Sequence, residues 1–494
     1  MTGPGVAERE RAVAAFDPGD LQGLVARASD VVWESGDVLG VGVSASPGRG
    51  AGQAYFDIDS ALAALERGES VVLVASSTSP ADEPAIRHAA AVVTAGGGLA
   101  SHAAIVARGW GVPAVCGVEK LHVEVGQAHF GDVIVRPGDE LVVDGSTGVI
   151  GRGSLHHVGD VRQPAVIGLP GDVSELLGWA DEITAGRVAV LANAETAEHV
   201  ASAMRFGAAG VGLCRTEHWF LGEHRPLLTE LLGACLPPER AGLLDRFEQV
   251  NRSAAGALLD AADGAPVTLR LLDASPAEFG VGGGLEHPRG VRAARVHNDL
   301  YRAQLRAFVD AAATRQPLGA PARLQLLVPM VSGPDDLEFV VGLLDEVRGT
   351  TGVSLPVGAM IEVPGAALTA AAIARRSEFL AIGTNDLTAA VWGLDRTTGP
   401  PSTGGADPFR SLDVPGVGRL IGLAIADARA ATPGLDVSVC GEVAGDPASI
   451  GPLIELGVTA LSVSPFRVPG ARLAAAQALL RLGAGGVAPP LGAG

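Results

Sequence analysis

The most chemically suggestive stretch of this chain places a histidine shortly after three glycines. Residues 94–117 read T-A-G-G-G-L-A-S-H-A-A-I-V-A-R-G-W-G-V-P-A-V-C-G, and the three glycines let the backbone turn tightly and approach a ligand closely. Ser101 is a good helix N-cap, so His102 is predicted to lie in the first turn of a helix. Unpaired N–H groups there attract an anion such as phosphate, and the positive helix end favours a neutral, nucleophilic imidazole. The alternative interpretation is that His102 only packs beneath a loop.

A second group of reactive side chains lies in or directly after short apolar segments of the later sequence. Burial of a charge in an apolar segment is unfavourable unless a partner compensates it, so Arg270 and Glu362 are the strongest single indications of a site. Each of these charges has a second interpretation as half of a structural ion pair. The group consists of Arg215, Arg270, Glu362, Asn385, Asp386 and Cys440.

These residue types suit phosphoryl transfer to or from an enol. Glu362 and Asp386 supply hard oxygen donors that could share one Mg²⁺, which would bind pyruvate oxygens and stabilise developing charge. Arg215 and Arg270 would bind the phosphoryl oxygens in a bidentate manner. Cys440 could protonate the methylene carbon of the enolate as a general acid, although a buried structural thiol is the more common role of a cysteine.

The second group needs a scaffold that brings distant segments together. Between residues 185 and 485, eight short apolar strands alternate with helical patterns. This alternation predicts a (β/α)₈ TIM barrel, in which the carboxyl ends of all strands meet at one face, with a doubly wound open sheet as the alternative. A separate, smaller α/β domain is predicted around the glycine stretch. The predicted divisions are a lead-in at 1–38 with a short helix over 20–27, the small domain at 39–155, a hinge linker at 156–184 with a short helix over 173–179, the barrel at 185–485 and a tail at 486–494.

Composition narrows the class of partner. The 494-residue chain has a net charge of −19, which disfavours binding to nucleic acid or to an anionic membrane. Its four cysteines show no CxxC spacing, which argues against a zinc site or a disulfide framework and fits a reducing cytoplasm. No signal peptide and no apolar run of about 20 residues is recognisable, so no membrane segment is expected and a cytoplasmic location is predicted.

The stretch around His102 resembles the phosphohistidine motif of the phosphoenolpyruvate (PEP)-utilising enzymes, which include pyruvate phosphate dikinase, PEP synthase and enzyme I of the sugar phosphotransferase system. In that family the histidine of the G-G-x-x-S-H-A-A-I/V-V-A-R pattern carries the phosphoryl group. The similarity extends over about residues 17–482. Its later motifs, most similar to those of the dikinase, are L-C-R-T-E-H, R-L-L-D, M-I-E-V-P, G-T-N-D-L-T, C-G-E and S-P-F-R-V-P-G-A-R-L-A-A-A-Q-A.

The resemblance implies a swivelling phosphohistidine domain followed by a PEP/pyruvate-binding barrel that uses Mg²⁺ and pairs as a homodimer. The segment P-R-G-V-R resembles a further phosphate-contacting stretch, and the sequence leaves open whether Arg289 or Arg292 faces the substrate. The implied roles are phosphoryl transfer by His102, phosphate binding by Arg215 and Arg270, Mg²⁺ binding by Glu362 and Asp386, substrate binding by Asn385 and acid–base catalysis by Cys440.

Two departures from the family pattern stand out. Ala100 occupies a position where the dikinase usually has threonine, which is regulated by phosphorylation in plants, so that control is expected to be absent. Gly365 stands where the family usually has arginine, which removes a positive charge. The dikinase's nucleotide-binding domain is also not recognisable before residue 39. We therefore expect phosphoryl exchange between PEP and His102. A separate nucleotide-binding or phosphocarrier protein is expected to accept the phosphoryl group from His102 or to donate it.

Two other functions stay open on the sequence. A PEP-sensing, regulatory or degenerate non-catalytic protein would account for Gly365 and for the unrecognised nucleotide-binding domain, but it would have no need of Cys440 as a proton donor. A carbon–carbon lyase built on a pyruvate-binding barrel would share the Glu362 and Asp386 pair. Such a lyase would have no use for a domain that carries His102.

Overall fold

A computed structural model describes most of the chain, and its described residues group into two compact units. The α/β unit takes its described residues from between 22 and 169, together with 220 and 224, and the barrel unit takes all the others. The described residues are 5–18, 21, 38–46, 48–79, 82–98, 101, 103–104, 106–107, 112–145, 147–153, 171–220, 224–233, 237–274, 279, 288–315, 323–349, 353–394 and 407–485.

The elements are numbered in chain order. The strands are β1 (Val38–Val41), β2 (Val43–Ser46), β3 (Arg49–Tyr55), β4 (Val71–Ala75), β5 (Ala91–Thr94), β6 (Ala114–Cys116), β7 (Leu121–Glu124), β8 (Gln127–Phe130), β9 (Val133–Val135), β10 (Glu140–Asp144), β11 (Val149–Arg152), β12 (Ala189–Asn193), β13 (Val211–Arg215), β14 (Val267–Arg270), β15 (Leu324–Val328), β16 (Val357–Ile361), β17 (Phe379–Gly383), β18 (Asp436–Cys440) and β19 (Ala460–Val463). The α-helices are α1 (Val6–Ala15), α2 (Ile58–Glu66), α3 (Glu83–His88), α4 (Gly171–Thr184), α5 (Ala197–Arg205), α6 (Arg225–Leu232), α7 (Pro237–Ala261), α8 (Val291–Val296), α9 (Asn298–Arg315), α10 (Pro334–Arg348), α11 (Pro364–Leu368), α12 (Ala370–Ala374), α13 (Thr384–Trp392), α14 (Arg419–Ala431), α15 (Pro447–Glu455) and α16 (Val468–Gly485).

The α/β unit is built on an eight-stranded sheet in the order β1-β11-β10-β3-β4-β5-β6-β2, and β7, β8 and β9 form a separate three-stranded sheet. Side chains of successive residues point to opposite faces of a strand. Along β4, Val71 and Leu73 therefore pack in one apolar cluster, while Val72 and Val74 pack in the other. Both faces of the central sheet are covered, and the parallel neighbour β5 leads directly to the glycine stretch.

The barrel unit confirms the predicted (β/α)₈ fold. Strands β12 to β19 pair in sequence as parallel neighbours and form a closed barrel. Closure is made by the first and last strands, whose pairing runs from Ala189 opposite Ala460 to Ala192 opposite Val463. The open-sheet alternative is therefore wrong, because a doubly wound sheet leaves its two edge strands unpaired.

The N-terminal helix α1 belongs to the barrel unit. The Gln477 side chain of α16 donates from Nε2 to the Val13 and Phe16 carbonyl oxygens at 2.8 and 2.7 Å. Helix α4, where a shorter helix over 173–179 was expected, is held by Arg472, whose Nε donates to Asp181 Oδ1 at 2.9 Å. Most of the expected 20–27 helix, residues 154–170 of the expected linker and the 486–494 tail lie outside the described residues. None of the described helices has the length and hydropathy needed to cross a bilayer.

Candidate active site

Side chains from several barrel strands converge where those strands end. Arg215 and Arg270 are register partners at the carboxyl ends of β13 and β14. Gly383 and Cys440 are register partners at the ends of β17 and β18, and Glu362 directly follows β16. In this fold the carboxyl ends of the strands form the catalytic face. The barrel therefore places the predicted residues on one face.

A buried network of ion pairs occupies this face. Arg270 contacts Glu217 through Nη2, and its Nη1 lies 3.2 Å from Asp273 Oδ2. Arg289 binds the same Asp273 through two bonds, Nε to Oδ1 at 3.0 Å and Nη2 to Oδ2 at 2.6 Å. Its Nη1 donates to Asp386 Oδ1 at 3.2 Å. Asp273 thus links the two arginines, and Arg289 extends the network to a predicted metal ligand.

Glu362 is a buried carboxyl group of this face whose pKa is raised. It is buried, with 2% of its surface exposed, and its Oε1 accepts a hydrogen bond from the Met330 backbone N–H at 2.7 Å. Met330 adopts the left-handed conformation, with φ at 57°, which is uncommon for a residue other than glycine. Burial and the charges of Asp386 and Asp273 raise the pKa of Glu362 to about 8. Burial and these two carboxylates therefore outweigh the positive charges of Arg270 and Arg289, which act on Glu362 in the opposite direction.

Gly383 leaves the space that the Glu362 side chain occupies. A Cβ atom at position 383 would lie 2.8 Å from Glu362 Cβ and 3.0 Å from its Oε2. We expect Gly383→Ala to lower the free energy of unfolding by about 1–3 kcal/mol, the usual range for overpacking, and to displace the carboxylate. Urea unfolding and Mg²⁺ titration of the purified variant measure both effects.

Gly342→Ala is the matched control, because position 342 is an exposed site in α10 with no atom within 4 Å of the added Cβ. Alanine there should raise the free energy of unfolding by up to about 1 kcal/mol through helix propensity. Equal stability and equal Mg²⁺ affinity of the two variants would contradict the packing role of Gly383.

A second carboxylate, Glu195, faces Arg215 and was not identified from the sequence. Its Oε1 lies 3.6 Å from Arg215 Nη1 and 3.5 Å from His218 Nδ1, and its Oε2 lies 3.6 Å from His199 Nδ1. Burial alone would raise the pKa of Glu195, but these two histidines and Arg215 hold it well below its usual range. Glu195 is therefore a charged counterion for Arg215. It was not recognisable because its partners meet it only in the folded barrel.

Cys440 is buried among apolar side chains of the barrel interior, with 3% of its surface exposed. Its thiol donates to the Ile382 carbonyl oxygen, with Sγ 3.4 Å away. Burial raises the pKa of Cys440 to about 11, although the charge of Arg215 acts in the opposite direction. The thiol therefore keeps its proton at neutral pH, as a general acid must.

The other predicted residues have distinct surroundings. Asn385 is half-buried, and its Oδ1 accepts a hydrogen bond from the Glu442 backbone N–H at 3.4 Å. Arg292 is exposed on α8, whereas Arg289 joins the ion-pair network. Of these two arginines, Arg289 is the one that pairs with Asp273 and Asp386, and which of them contacts substrate stays a prediction.

His102 itself lies outside the described residues, but several of its neighbours in the chain are described. The Ser101 hydroxyl accepts from the Ala104 N–H at 3.4 Å, which is the N-cap interaction expected there. The same hydroxyl lies 3.7 Å from the Cys116 sulfur on β6. Gly97 has φ at +94°, a conformation that favours glycine. A Cβ atom added at position 97 would lie only 2.7 Å from Ser101 Cβ, so glycine also leaves the space that Ser101 needs. The role of His102 stays a prediction.

Comparison with known proteins identifies the family. Residues 171–480 match the family model for the PEP-binding domain of PEP-utilising enzymes, and residues 67–148 match the model for their mobile domain. The chain belongs to the PEP-utilising enzyme family. The matched ranges fall on the barrel unit and on the α/β unit.

Curated PEP-utilising enzymes share about a third of their aligned residues with the chain. It is 36% identical to pyruvate, phosphate dikinase 1 of Arabidopsis thaliana, over 97% of this chain and 54% of that protein. It is 36% identical to the dikinase of Rhizobium meliloti over 97% of this chain and 58% of that protein, and 34% identical to that of Clostridium symbiosum over 96% and 59%. The chain thus spans little more than half the length of these relatives.

Two acidic residues of the chain, Glu217 and Asp273, lie in motifs of the PEP-utilising family to which the sequence assigned no role. Glu217 and Asp273 both pair with Arg270, and Asp273 also pairs with Arg289. Each follows an arginine closely, in L-C-R-T-E-H and in R-L-L-D. A carboxylate two or three residues after an arginine in an apolar segment was an available signal, because buried charges require partners.

Proposed function

We propose that the barrel unit binds PEP and transfers its phosphoryl group to His102, releasing pyruvate. The observation that carries the proposal is a pair of buried guanidinium N–H groups that have no acceptor within the described part of the chain. Arg215 Nη1 and Arg270 Nε are buried and make no hydrogen bond to any described residue. An unsatisfied buried donor is unfavourable, and a charged donor more so, which favours an anionic oxygen at this position. A phosphoryl group offers three such oxygens in the geometry that guanidinium groups bind.

The residues at the strand ends also fit a divalent cation. Four carboxylates, those of Glu217, Asp273, Glu362 and Asp386, accompany the two guanidinium groups of Arg270 and Arg289. A divalent cation would balance that excess of negative charge. Among the described residues, no three His, Cys, Asp or Glu side chains form a metal site by themselves, so water and substrate oxygens would complete the coordination. Mg²⁺ commonly binds in this way, through one or two carboxylates together with substrate phosphates.

Glu362 and Asp386 would hold the Mg²⁺, which when bound supplies charge stabilisation to the oxygens of the substrate. Arg215, Arg270 and Arg289 would orient the phosphoryl group and neutralise its charge. In the forward direction, an imidazole nitrogen of His102 attacks phosphorus, the P–O bond to the enol oxygen breaks, and that oxygen keeps the electron pair. The carbon–carbon double bond then takes the Cys440 proton at the methylene carbon to give pyruvate, and the thiolate regains a proton from solvent.

The test of the proposed function uses the complete chain. Purified protein is incubated with Mg²⁺ and PEP labelled at phosphorus, and pyruvate and protein-bound phosphate are measured together. We expect one pyruvate per chain and one acid-labile phosphate, since phosphohistidine is unstable in acid. Binding of PEP without pyruvate release would instead support a PEP-sensing protein. Absence of both would overturn the proposed function.

A second reaction partner, which exchanges the phosphoryl group with His102, is proposed from the resemblance alone. It would be a separate nucleotide-binding or phosphocarrier protein that takes the phosphoryl group from His102 or delivers it. The barrel would pair with a second copy as a homodimer. Addition of purified candidate proteins to the phosphorylated chain, followed by measurement of label transfer, identifies the acceptor.

Gly365 offers a gain-of-function prediction. It lies in α11, directly after the Glu362 segment, and no atom lies within 4 Å of an added Cβ. We expect Gly365→Arg to leave thermal stability unchanged and to lower the PEP concentration that gives half the maximal rate of pyruvate release by roughly tenfold, because a charge-assisted hydrogen bond contributes about 1.5 kcal/mol. Single-turnover kinetics of pyruvate release checks this, with Gly365→Gln as a control of similar length that lacks the charge. An equal half-saturating PEP concentration in both variants would show that position 365 does not face the phosphoryl group.

A further inference from the structure

Helix α9 carries two buried polar side chains, one turn apart, that face the carboxyl ends of the barrel strands. Tyr301 is 2% exposed and Gln304 is 0% exposed. Neither belongs to the ion-pair network, yet both bond to the backbone segments that carry its arginines. Residues three apart on a helix lie on the same face, so one helix contacts both segments.

Gln304 holds the Arg270 segment from two sides. Its Oε1 accepts from the Leu272 N–H at 2.9 Å, and its Nε2 donates to Thr216 Oγ1 at 3.1 Å. Thr216 Oγ1 donates in turn to the Arg270 carbonyl oxygen at 2.8 Å. The second Nε2 hydrogen goes to Asn251 Oδ1 at 3.0 Å. Each amide hydrogen of Gln304 has an acceptor and its carbonyl oxygen has a donor. The side-chain amide therefore has one favourable orientation, because a flip would break all three bonds.

Tyr301 connects the same segment to the loop that carries Arg289. Its hydroxyl lies 2.6 Å from the Leu272 carbonyl oxygen and 3.0 Å from the Gly290 carbonyl oxygen. Gly290 directly follows Arg289 and has φ at 60°, where a side chain would lie 2.8 Å from Met330 Cβ. One hydroxyl proton shared between two carbonyl groups fixes the distance between the β14 end and the Arg289 loop.

We propose that Tyr301 and Gln304 are positioning residues that set the separation of Arg270 and Arg289 for the phosphoryl group. This inference rests on the proposed function of those arginines. Both arginines share Asp273, which lies next to Leu272, so a shift of this segment moves both guanidinium groups. A misplacement of about 1 Å in a binding group is enough to reduce catalytic efficiency strongly.

Tyr301→Phe tests the inference with little change of shape. We expect roughly tenfold weaker binding of PEP in the presence of Mg²⁺, measured by isothermal titration calorimetry, because the two carbonyl groups lose their common donor. The chain has two tyrosines, so Tyr55→Phe is the natural control. Tyr55 also uses its hydroxyl, which donates to Glu69 Oε2 at 2.6 Å, but it lies in the α/β unit. That variant should bind PEP as the wild type does.

A double-mutant cycle separates positioning from a purely structural role. If Tyr301 acts through Arg289, then Tyr301→Phe should weaken PEP binding less in an Arg289→Lys background than in the wild type. Additive losses would overturn the inference. Gln304→Met, which removes the bonds to Leu272 and Thr216, should also weaken PEP binding, and Tyr301→Phe keeps the test decisive if that variant is unstable.

The outcomes for the wild type and for Tyr301→Phe are distinguishable. If the wild-type chain does not bind PEP, the proposed function fails. If the wild type binds PEP and Tyr301→Phe binds it equally well, the positioning role fails while the proposed function stands. A lower melting temperature with unchanged PEP affinity would assign Tyr301 to stability alone.

Discussion

We expect the His102→Ala protein to take up no phosphate from labelled PEP, whereas the wild-type chain should keep one acid-labile phosphate. This result is expected because alanine has no nitrogen to attack phosphorus, and residues 94–117 contain no other histidine. The loss should be complete within the limit of detection. Acid-quenched protein, separated from free label and counted, gives the measurement, with pyruvate followed in the same samples.

His88→Ala is the matched control for this experiment. His88 is exposed at the end of α3 in the same α/β unit, and its replacement should leave labelling unchanged. Labelling of His102→Ala at the wild-type level would show that another residue is the nucleophile. Loss of labelling in both variants would indicate damage to the unit rather than to the reaction.

The Cys440→Ala protein should exchange the methyl hydrogens of pyruvate with solvent at least about 100-fold more slowly than the wild type. A group that protonates the enolate carbon must also remove a proton from pyruvate in the reverse direction, and general acid–base catalysis contributes roughly 10²–10⁴-fold. Because the pKa of Cys440 is raised to about 11, the thiol is protonated throughout the neutral range. Pyruvate release from PEP should therefore not decline through ionisation of this thiol until the pH approaches that value.

Proton exchange is measured by NMR of pyruvate in D₂O with Mg²⁺ and inorganic phosphate present. Cys214→Ala serves as the control, because Cys214 is also a buried thiol of the barrel, on β13. Its loss should affect stability without abolishing exchange. Wild-type exchange in Cys440→Ala would assign the proton transfer to another group and leave Cys440 as a packing residue.

The barrel was predictable because its strands are buried on both faces. Such strands appear in a sequence as short uninterrupted apolar runs, and Val357–Ile361 is one in which every residue is buried. Strands β7 and β8 of the small sheet were not predicted, since they are short and partly exposed, with polar residues such as His122 and His129.

The types of residue at the site were predictable, while their pairing was not. Charged residues in apolar segments identified Arg270 and Glu362, because burial of an isolated charge is unfavourable. The sequence could not show that Arg289 joins the ion-pair network and Arg292 does not, since both lie in the same P-R-G-V-R segment. Identification of Glu195 as the partner of Arg215 required the folded barrel, which brings the two residues together. The catalytic and binding roles of all these residues stay predictions until the variants are measured.

The docking of α1 on α16 has a consequence for how the chain folds. During synthesis, the Gln477 side chain that bonds to the α1 carbonyl groups emerges 464 residues after Val13. The closing pair of barrel strands, β12 and β19, is likewise separated by the whole of the barrel sequence. Contacts this distant in sequence form late, because closing a long loop costs conformational entropy before any contact offsets it. Helix α1 therefore cannot form its contacts with α16 until synthesis reaches that helix. The barrel unit can complete its fold only when the last helix has been made.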